Sequence, residues 1–330
     1  MFIFIFQQPG YAEDKVRFRV SDAMPSGSPL GKLVADWARN IEKEGDNIEV
    51  ILYPGSQLFK PEQQINAVAR AYVDGAFVHF DYWGRTLPEL SILSRPFAFS
   101  DRTLLFSFRD SQLSSYLATR VESKGMKVVA WLIMGHMIGI STRGKPLVKP
   151  QDFAHKKIRG ASPLLNSALR AVGASPVSLG GAEVYQALQT GMIDGSLTTL
   201  RSIYMRRFYE VNNWVTVSPL FPAFVMLTVN LKWWNSLSEA NRQIISRVSH
   251  STERAAAELT VKLEAETPQL LREKGMKVYF LKAQEIEELR SVMEPAWLST
   301  FNDLSGARGK EVLQYSAIHL MNAKTKVGMP

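Results

Sequence analysis

One stretch restricts the folds open to this chain more than any other. From Ser238 to about Lys274 the apolar residues recur at helical spacing, and Ser238-Glu239 reads as an N-cap with an acid in the first turn. About 36 residues at 1.5 Å each give a helix near 50 Å long. A compact unit of about 100 residues cannot contain such a rod, so it has to lie across two of them. Thr267-Pro268 is its one interruption, where a kink is expected. The length of 330 residues allows two units at about 150 residues each.

The segments before that helix alternate between two periods. Residues 16–20 alternate apolar and polar as a strand does, and Leu30, Leu33, Val34, Trp37, Ala38 and Ile41 fall on one face of a helix. A strand at 47–53, a helix at 62–73 and a buried-type strand at 76–80 complete a βαβαβ rhythm, which implies a parallel sheet with right-handed crossovers. The rhythm restarts with strands at 126–131, 138–142, 157–159, 175–179 and 193–198. Helices at 163–172 and 182–190 lie among them, and each is followed by a glycine suited to a C-cap, Gly173 and Gly191. Two α/β units are therefore expected, around 15–135 and 136–222. A strand at 225–230, the long helix, a helix at 285–301 and a helical tail to about 323 follow.

Chemistry is limited mainly by what is missing. With no cysteine, the chain has no thiolate metal site, no disulfide and no thiol nucleophile. There is no G-x-S-x-G elbow, no G-x-G-x-x-G after a strand and no H-E-x-x-H. The five histidines (His79, His136, His155, His250, His319) lack metal-ligand spacing, so neither a metal nor a cofactor is expected. Ser26-Gly27-Ser28-Pro29-Leu30-Gly31-Lys32 has serine where a P-loop needs its first glycine, and Pro29 removes a backbone donor. The net charge of +8 is scattered rather than drawn into a stripe, which argues against nucleic acid and suits small anions. Residues 1–12 form a short apolar run, a turn and a small residue. They read as a signal-peptide remnant, with a frayed strand as the other reading.

The densest pattern lies between residues 146 and 211. It comprises Lys157-Ile-Arg-Gly, then Gly181-Ala-Glu-Val-Tyr-Gln-Ala-Leu-Gln-Thr-Gly-Met-Ile-Asp-Gly, then Phe208-Tyr-Glu-Val. With Tyr53-Pro-Gly-Ser-Gln-Leu and Pro88-Glu-Leu…Arg95-Pro-Phe-Ala-Phe, it resembles the DctP-like substrate-binding proteins of tripartite ATP-independent periplasmic (TRAP) transporters, over residues 15 to about 310. The resemblance implies a periplasmic-binding-protein-like α/β fold: two lobes, a ligand cleft between them and a domain-spanning helix. The division it suggests is 13–136 plus 225–264 for the first lobe, 137–224 plus 265–320 for the second, and a tail at 321–330. It further implies an exported, periplasmic monomer that performs no catalysis. Such a protein hands a small organic acid to TRAP membrane subunits, where it would serve transport or, alternatively, ligand sensing for a signalling receptor. An enzyme on a similar two-lobe fold is a remoter alternative, since no motif supplies an activated nucleophile or acid–base pair.

Arg159 ends a strand immediately before a glycine, and ligands of open α/β sheets sit beyond the carboxyl ends of strands. A guanidinium there matches a carboxylate, and the resemblance assigns it that role; the residues alone also allow a surface arginine in a basic cluster. Three departures bear on the ligand. Thr198 stands where the family often has asparagine, and Gly139 where a second arginine is usual. Gly180-Gly181 replaces an aromatic residue, leaving space or bare N–H groups. Together they point to a monocarboxylate. In the first lobe, Phe80-Asp81-Tyr82-Trp83 is either an aromatic pocket wall with one acceptor or a packed turn. Ser21, Met24, Gln57 and Phe221 are further candidates.

Overall fold

The computed structural model describes residues 15–160 and 162–327; the leader expected at 1–12 lies outside them. Two sheets organise the chain. The first has the order β2-β1-β3-β10-β4, formed by β1 (Val16–Asp22), β2 (Ile48–Tyr53), β3 (Gly75–His79), β4 (Met126–Gly135) and β10 (Ala223–Asn230). The second has the order β11-β9-β5-β8-β6-β7. Its strands are β5 (Ile138–Thr142), β6 (Lys157–Gly160), β7 (Ser175–Ser178), β8 (Gly195–Thr199), β9 (Trp214–Ser218) and β11 (Lys277–Phe280).

Neither sheet is wholly parallel. β1 runs parallel to β2 and β3, whereas β10 is antiparallel to both β3 and β4. β5 is antiparallel to β8 and β9, while β6 is parallel to β7 and β8. The reason is topological. The chain leaves the first sheet through β4, enters the second through β5, and returns from β9 to β10, which slots between β3 and β4. β1, β2 and β3 are parallel as the βαβαβ rhythm implies, whereas a strand arriving from the other sheet is not constrained by a βαβ crossover and pairs antiparallel.

The helices follow their sequence cues. α1 (Pro29–Glu44) is capped by the Ser28 hydroxyl, which accepts from the Gly31 N–H, and its apolar stripe buries Val34, Trp37 and Ile41 against β1 and β3. Between Gln64 and Trp234 come the shorter helices α2 (Gln64–Ala69), α3 (Arg102–Phe106), α4 (Gln112–Glu122), α5 (Pro163–Ala171), α6 (Val184–Gln189), α7 (Leu200–Met205) and α8 (Leu231–Ser236).

The long helix is α9 (Glu239–Glu273), capped by Ser238 and continuous through Pro268, so the expected kink does not break it. It is pinned to α1 where the Trp37 indole donates to Ser249 (2.9 Å), and to β4 of the first sheet where the Thr260 hydroxyl donates to the Ile133 carbonyl (2.8 Å). Farther along, Leu271 enters the core of the second sheet with Val215, Val217 and Met276. Halfway, at the β4–β5 crossing, the Glu264 carboxylate accepts the backbone N–H groups of His136 (2.5 Å) and Met137 (2.7 Å). The last helix, α10 (Ala283–Val327), is two helices joined at Gly306, whose φ of 56° suits a glycine. Its second part, expected on the second lobe as far as residue 320, packs on α3 and α4 of the first. The Tyr116 hydroxyl lies 3.0 Å from Glu311, and a His319 ring nitrogen is 2.9 Å from the Leu104 carbonyl.

Candidate ligand cleft

Where the carboxyl ends of β3 and β6 face each other, the two sheets bring opposite charges together. Arg159 sits on β6 directly opposite Ser196 of β8, and Thr198 follows on the same face two residues later. The Arg159 guanidinium is half-buried and moored by backbone: Nε donates to the Leu179 carbonyl and Nη1 to the Leu197 carbonyl, both at 3.2 Å. Among the described residues no carboxylate oxygen lies within 4 Å of it. Burial lowers its pKa below the usual arginine value, against the opposing pull of Asp81 and Tyr82.

Those two residues come from the opposite sheet. β3 ends at His79, and a 3₁₀ turn (Phe80–Arg85) carries Asp81 and Tyr82, both half-buried, towards the arginine. His79, one of the histidines that spacing left unassigned, belongs to the same group. Burial holds its pKa below the usual imidazole value; Asp81 opposes this, and Arg206 and Arg159 add to it. Burial, Asp81 and Glu62 raise the Tyr82 phenol, and the two arginines act against them.

Arg206 had no place in the sequence reading. It caps α7, which starts directly after β8, and it stays open to solvent at the mouth of the cleft while protein encloses its other sides. One of its nitrogens donates to the Gly181 carbonyl. A Cβ at Gly181 would lie 2.8 Å from Nη2 and 3.0 Å from Cζ, so the space left by the glycine pair is filled by this guanidinium. Surrounding protein and then the charge of Arg159 lower the Arg206 pKa. The position expected to lack a second arginine has no room for one. A Cβ at Gly139 would meet Ile203 at 2.5 Å and Val215 at 2.9 Å, because α7 covers that face of β5.

The remaining candidates divide sharply. Phe80 and Trp83 are 1% and 0% exposed and belong to the core, so the turn presents Asp81 and Tyr82 while its other two aromatic rings pack inward. Phe221 is buried too, its ring centre 6.3 Å from that of Phe80 on the return crossing. Ser21 is fully buried and receives a bond from Gln64 (3.3 Å), Met24 is buried, and Gln57 is exposed on the loop after β2. Beneath this end of the first sheet, Asp22 is 1% exposed. One of its oxygens accepts the Met24 N–H (2.9 Å), the other has no partner among the described residues, and burial raises its pKa to about 7. A surface hollow of about 600 Å³, lined by Trp234, Arg242, His250 and others along α8 and α9, contains none of the cleft residues.

Two α/β lobes joined by crossing strands, with a fixed cation on one rim and polar and aromatic groups on the other, define a hinged solute-binding protein. The chain belongs to the bacterial extracellular solute-binding protein family 7 (DctP), whose profile matches residues 20–303. It is 27% identical to a solute-binding protein of Albidiferax ferrireducens over 271 residues, 81% of this chain and 80% of that one. It is 26% identical to the C4-dicarboxylate-binding periplasmic protein DctP of Shewanella loihica over 302 residues, 89% and 87% of the two chains. In fold it matches a TRAP periplasmic solute-binding protein of Desulfovibrio salexigens with bound orotic acid. The TM-score is 0.88 at 22% identity, covering 94% of this chain and all of the other. No helix among the described residues is long and apolar enough to cross a membrane.

Proposed function

We propose that this protein captures a small organic acid outside the cytoplasm, as a monocarboxylate held by Arg159, and delivers it to TRAP-type membrane subunits by closing its two lobes. The observation that carries this reading is the state of the Arg159 side chain. It is partly desolvated and held by two backbone carbonyls, with no carboxylate in reach. An unpaired, partly buried cation is costly, and an anionic ligand removes that cost with charge-assisted bonds. Asp81 and Tyr82 meet the ligand from the first lobe and Thr198 and Gly181 from the second. A ligand touching both sides favours the closed state by its differential contacts. The protein works as a periplasmic monomer and performs no chemistry on its cargo. The organic acids named for its relatives, from C4-dicarboxylates to orotic acid, support the ligand class and leave its particular member open.

A thermal-shift screen against organic acids, followed by calorimetry on the best binder, tests the reading, because bound ligand stabilises the folded state by mass action. Arg159→Ala is expected to weaken binding by about a hundredfold, the cost of leaving a buried carboxylate without its partner. Unchanged affinity in that variant would remove the clamp.

A further inference from the structure

The mooring of the two arginines carries a conclusion about the ligand's second end. The carbonyls that hold Arg159 and Arg206 belong to Leu179 and Gly181, two positions apart, so chain geometry keeps them within about 7 Å. Each guanidinium offers five N–H groups. Arg159 spends two on carbonyls and Arg206 one, and among the described residues neither forms an ion pair, whereas the neighbouring Arg207 pairs with Glu210. Arg159 acts on Arg206 as a like charge and both keep unused donors, an arrangement that favours an incoming acceptor. The glycine at 181 is what lets Arg206 lie there, since any Cβ would displace the guanidinium. Asp81 acts on Arg159 and Glu62 on the neighbouring Tyr82, so the protein itself supplies negative charge here, and a ligand carboxylate on Arg159 leaves to Arg206 an acceptor that need not be charged.

We propose that Arg206, seated over Gly181, is a specificity-determining ligand contact, and that the ligand is a monocarboxylate carrying a second, uncharged oxygen acceptor that reaches Arg206 while its carboxylate lies on Arg159. This inference rests on the carboxylate reading of Arg159. It selects hydroxy, oxo or amide acids over simple fatty acids.

The test is calorimetry on the full chain with a matched series: butyrate, with one carboxylate and no other oxygen; succinamate, with a neutral amide oxygen added; and succinate, with a second charge. Wild type is expected to bind succinamate about tenfold tighter than butyrate. Arg206→Gln and Gly181→Ala should each close most of that gap, and the double variant should be no worse than Arg206→Gln alone. A gap that survives both substitutions overturns the contact, and succinate outbinding succinamate overturns the assignment of an uncharged group. Arg159→Ala separates the two proposals. If it abolishes binding of all three acids while the Arg206 variants do nothing, only the present inference falls; if it leaves binding intact, both fall. Should none of the acids bind wild type, the ligand-free proteins decide. Relief of repulsion predicts that Arg206→Gln melts no lower than wild type at low salt, with any gain vanishing in high salt. A drop of several degrees would make Arg206 a structural residue and overturn the inference.

Discussion

Asp22→Asn isolates a penalty that this fold carries at neutral pH. Asp22 lies at the carboxyl end of β1, essentially without solvent contact. Two backbone hydrogen bonds favour its charged form, but burial outweighs them and raises its pKa from 3.8 to about 7. The unfolded chain releases that proton near pH 4, while the folded one holds it to about 7. Between those values the unfolded state binds fewer protons, so stability falls as pH rises, and the loss is complete above the folded pKa. A shift of about 3 units corresponds to about 4 kcal/mol at full extent, and to about 3 kcal/mol between pH 4.5 and 7.5. Asparagine keeps an oxygen for the Met24 N–H but cannot ionise. Urea denaturation of both proteins at the two pH values measures the difference directly. Asp22→Asn should gain on wild type by about 3 kcal/mol on going from pH 4.5 to 7.5. Parallel stability curves would show that Asp22 ionises normally in the folded state and would refute the reasoning.

Two further outcomes follow from the same physical terms. Glu264 binds two backbone N–H groups at the β4–β5 crossing and lies 3.4 Å from a His136 ring nitrogen. Burial pushes its pKa up, but these partners outweigh it and hold the pKa below the usual glutamate value. Its stabilisation is present above the unfolded pKa and lost as pH falls through the folded one. Glu264→Gln should therefore cost about 1–3 kcal/mol at pH 7 and flatten the acid limb of the stability curve, checked by denaturation from pH 7 to 3. Trp83 is fully buried with its indole N–H unpartnered among the described residues. Trp83→Phe should cost about 1–3 kcal/mol of stability yet leave affinity and the ligand-induced fluorescence change as they were, and a large loss of affinity would put Trp83 back in the cleft.

What the sequence revealed and what it concealed follow from how local each signal is. α9 is legible because helical periodicity and the Ser238 cap are local properties, and β6 with Arg159 at its end is legible for the same reason. β9 carries a local signal too, since Trp214-Val-Thr-Val-Ser alternates as a strand does, although it is not among the expected elements. The insertion of β10 between β3 and β4 is a long-range pairing that no window of residues encodes. Phe80-Asp81-Tyr82-Trp83 shows the limit for side chains, since an aromatic run reads the same facing a pocket or a core. Only the 3₁₀ turn, with its different phase, sends Phe80 and Trp83 inward and leaves Asp81 and Tyr82 at the cleft. Arg206 was unreadable because it reaches Gly181 only by way of a six-residue helix folded over β5. The glycine pair was the one hint, recognisable as space but silent about what fills it.

The same arrangement explains why closure can depend on ligand. The lobes are fastened together at their back. Glu264 grips the outgoing crossing, the Phe97 N–H donates to the Leu220 carbonyl beside the return crossing (2.7 Å), and α9 spans both sheets. At the front, Asp81, Glu62 and the neutral Tyr82 and His79 on one side act electrostatically with Arg159 and Arg206 on the other. Under the proposed function, closing that gap without a ligand would desolvate both guanidinium groups, which low-dielectric burial penalises. An organic anion lying on the arginines removes the excess charge and supplies acceptors for their free N–H groups. On that reading the step that desolvates the cleft is no longer a cost, and cargo capture and lobe closure form a single coupled equilibrium.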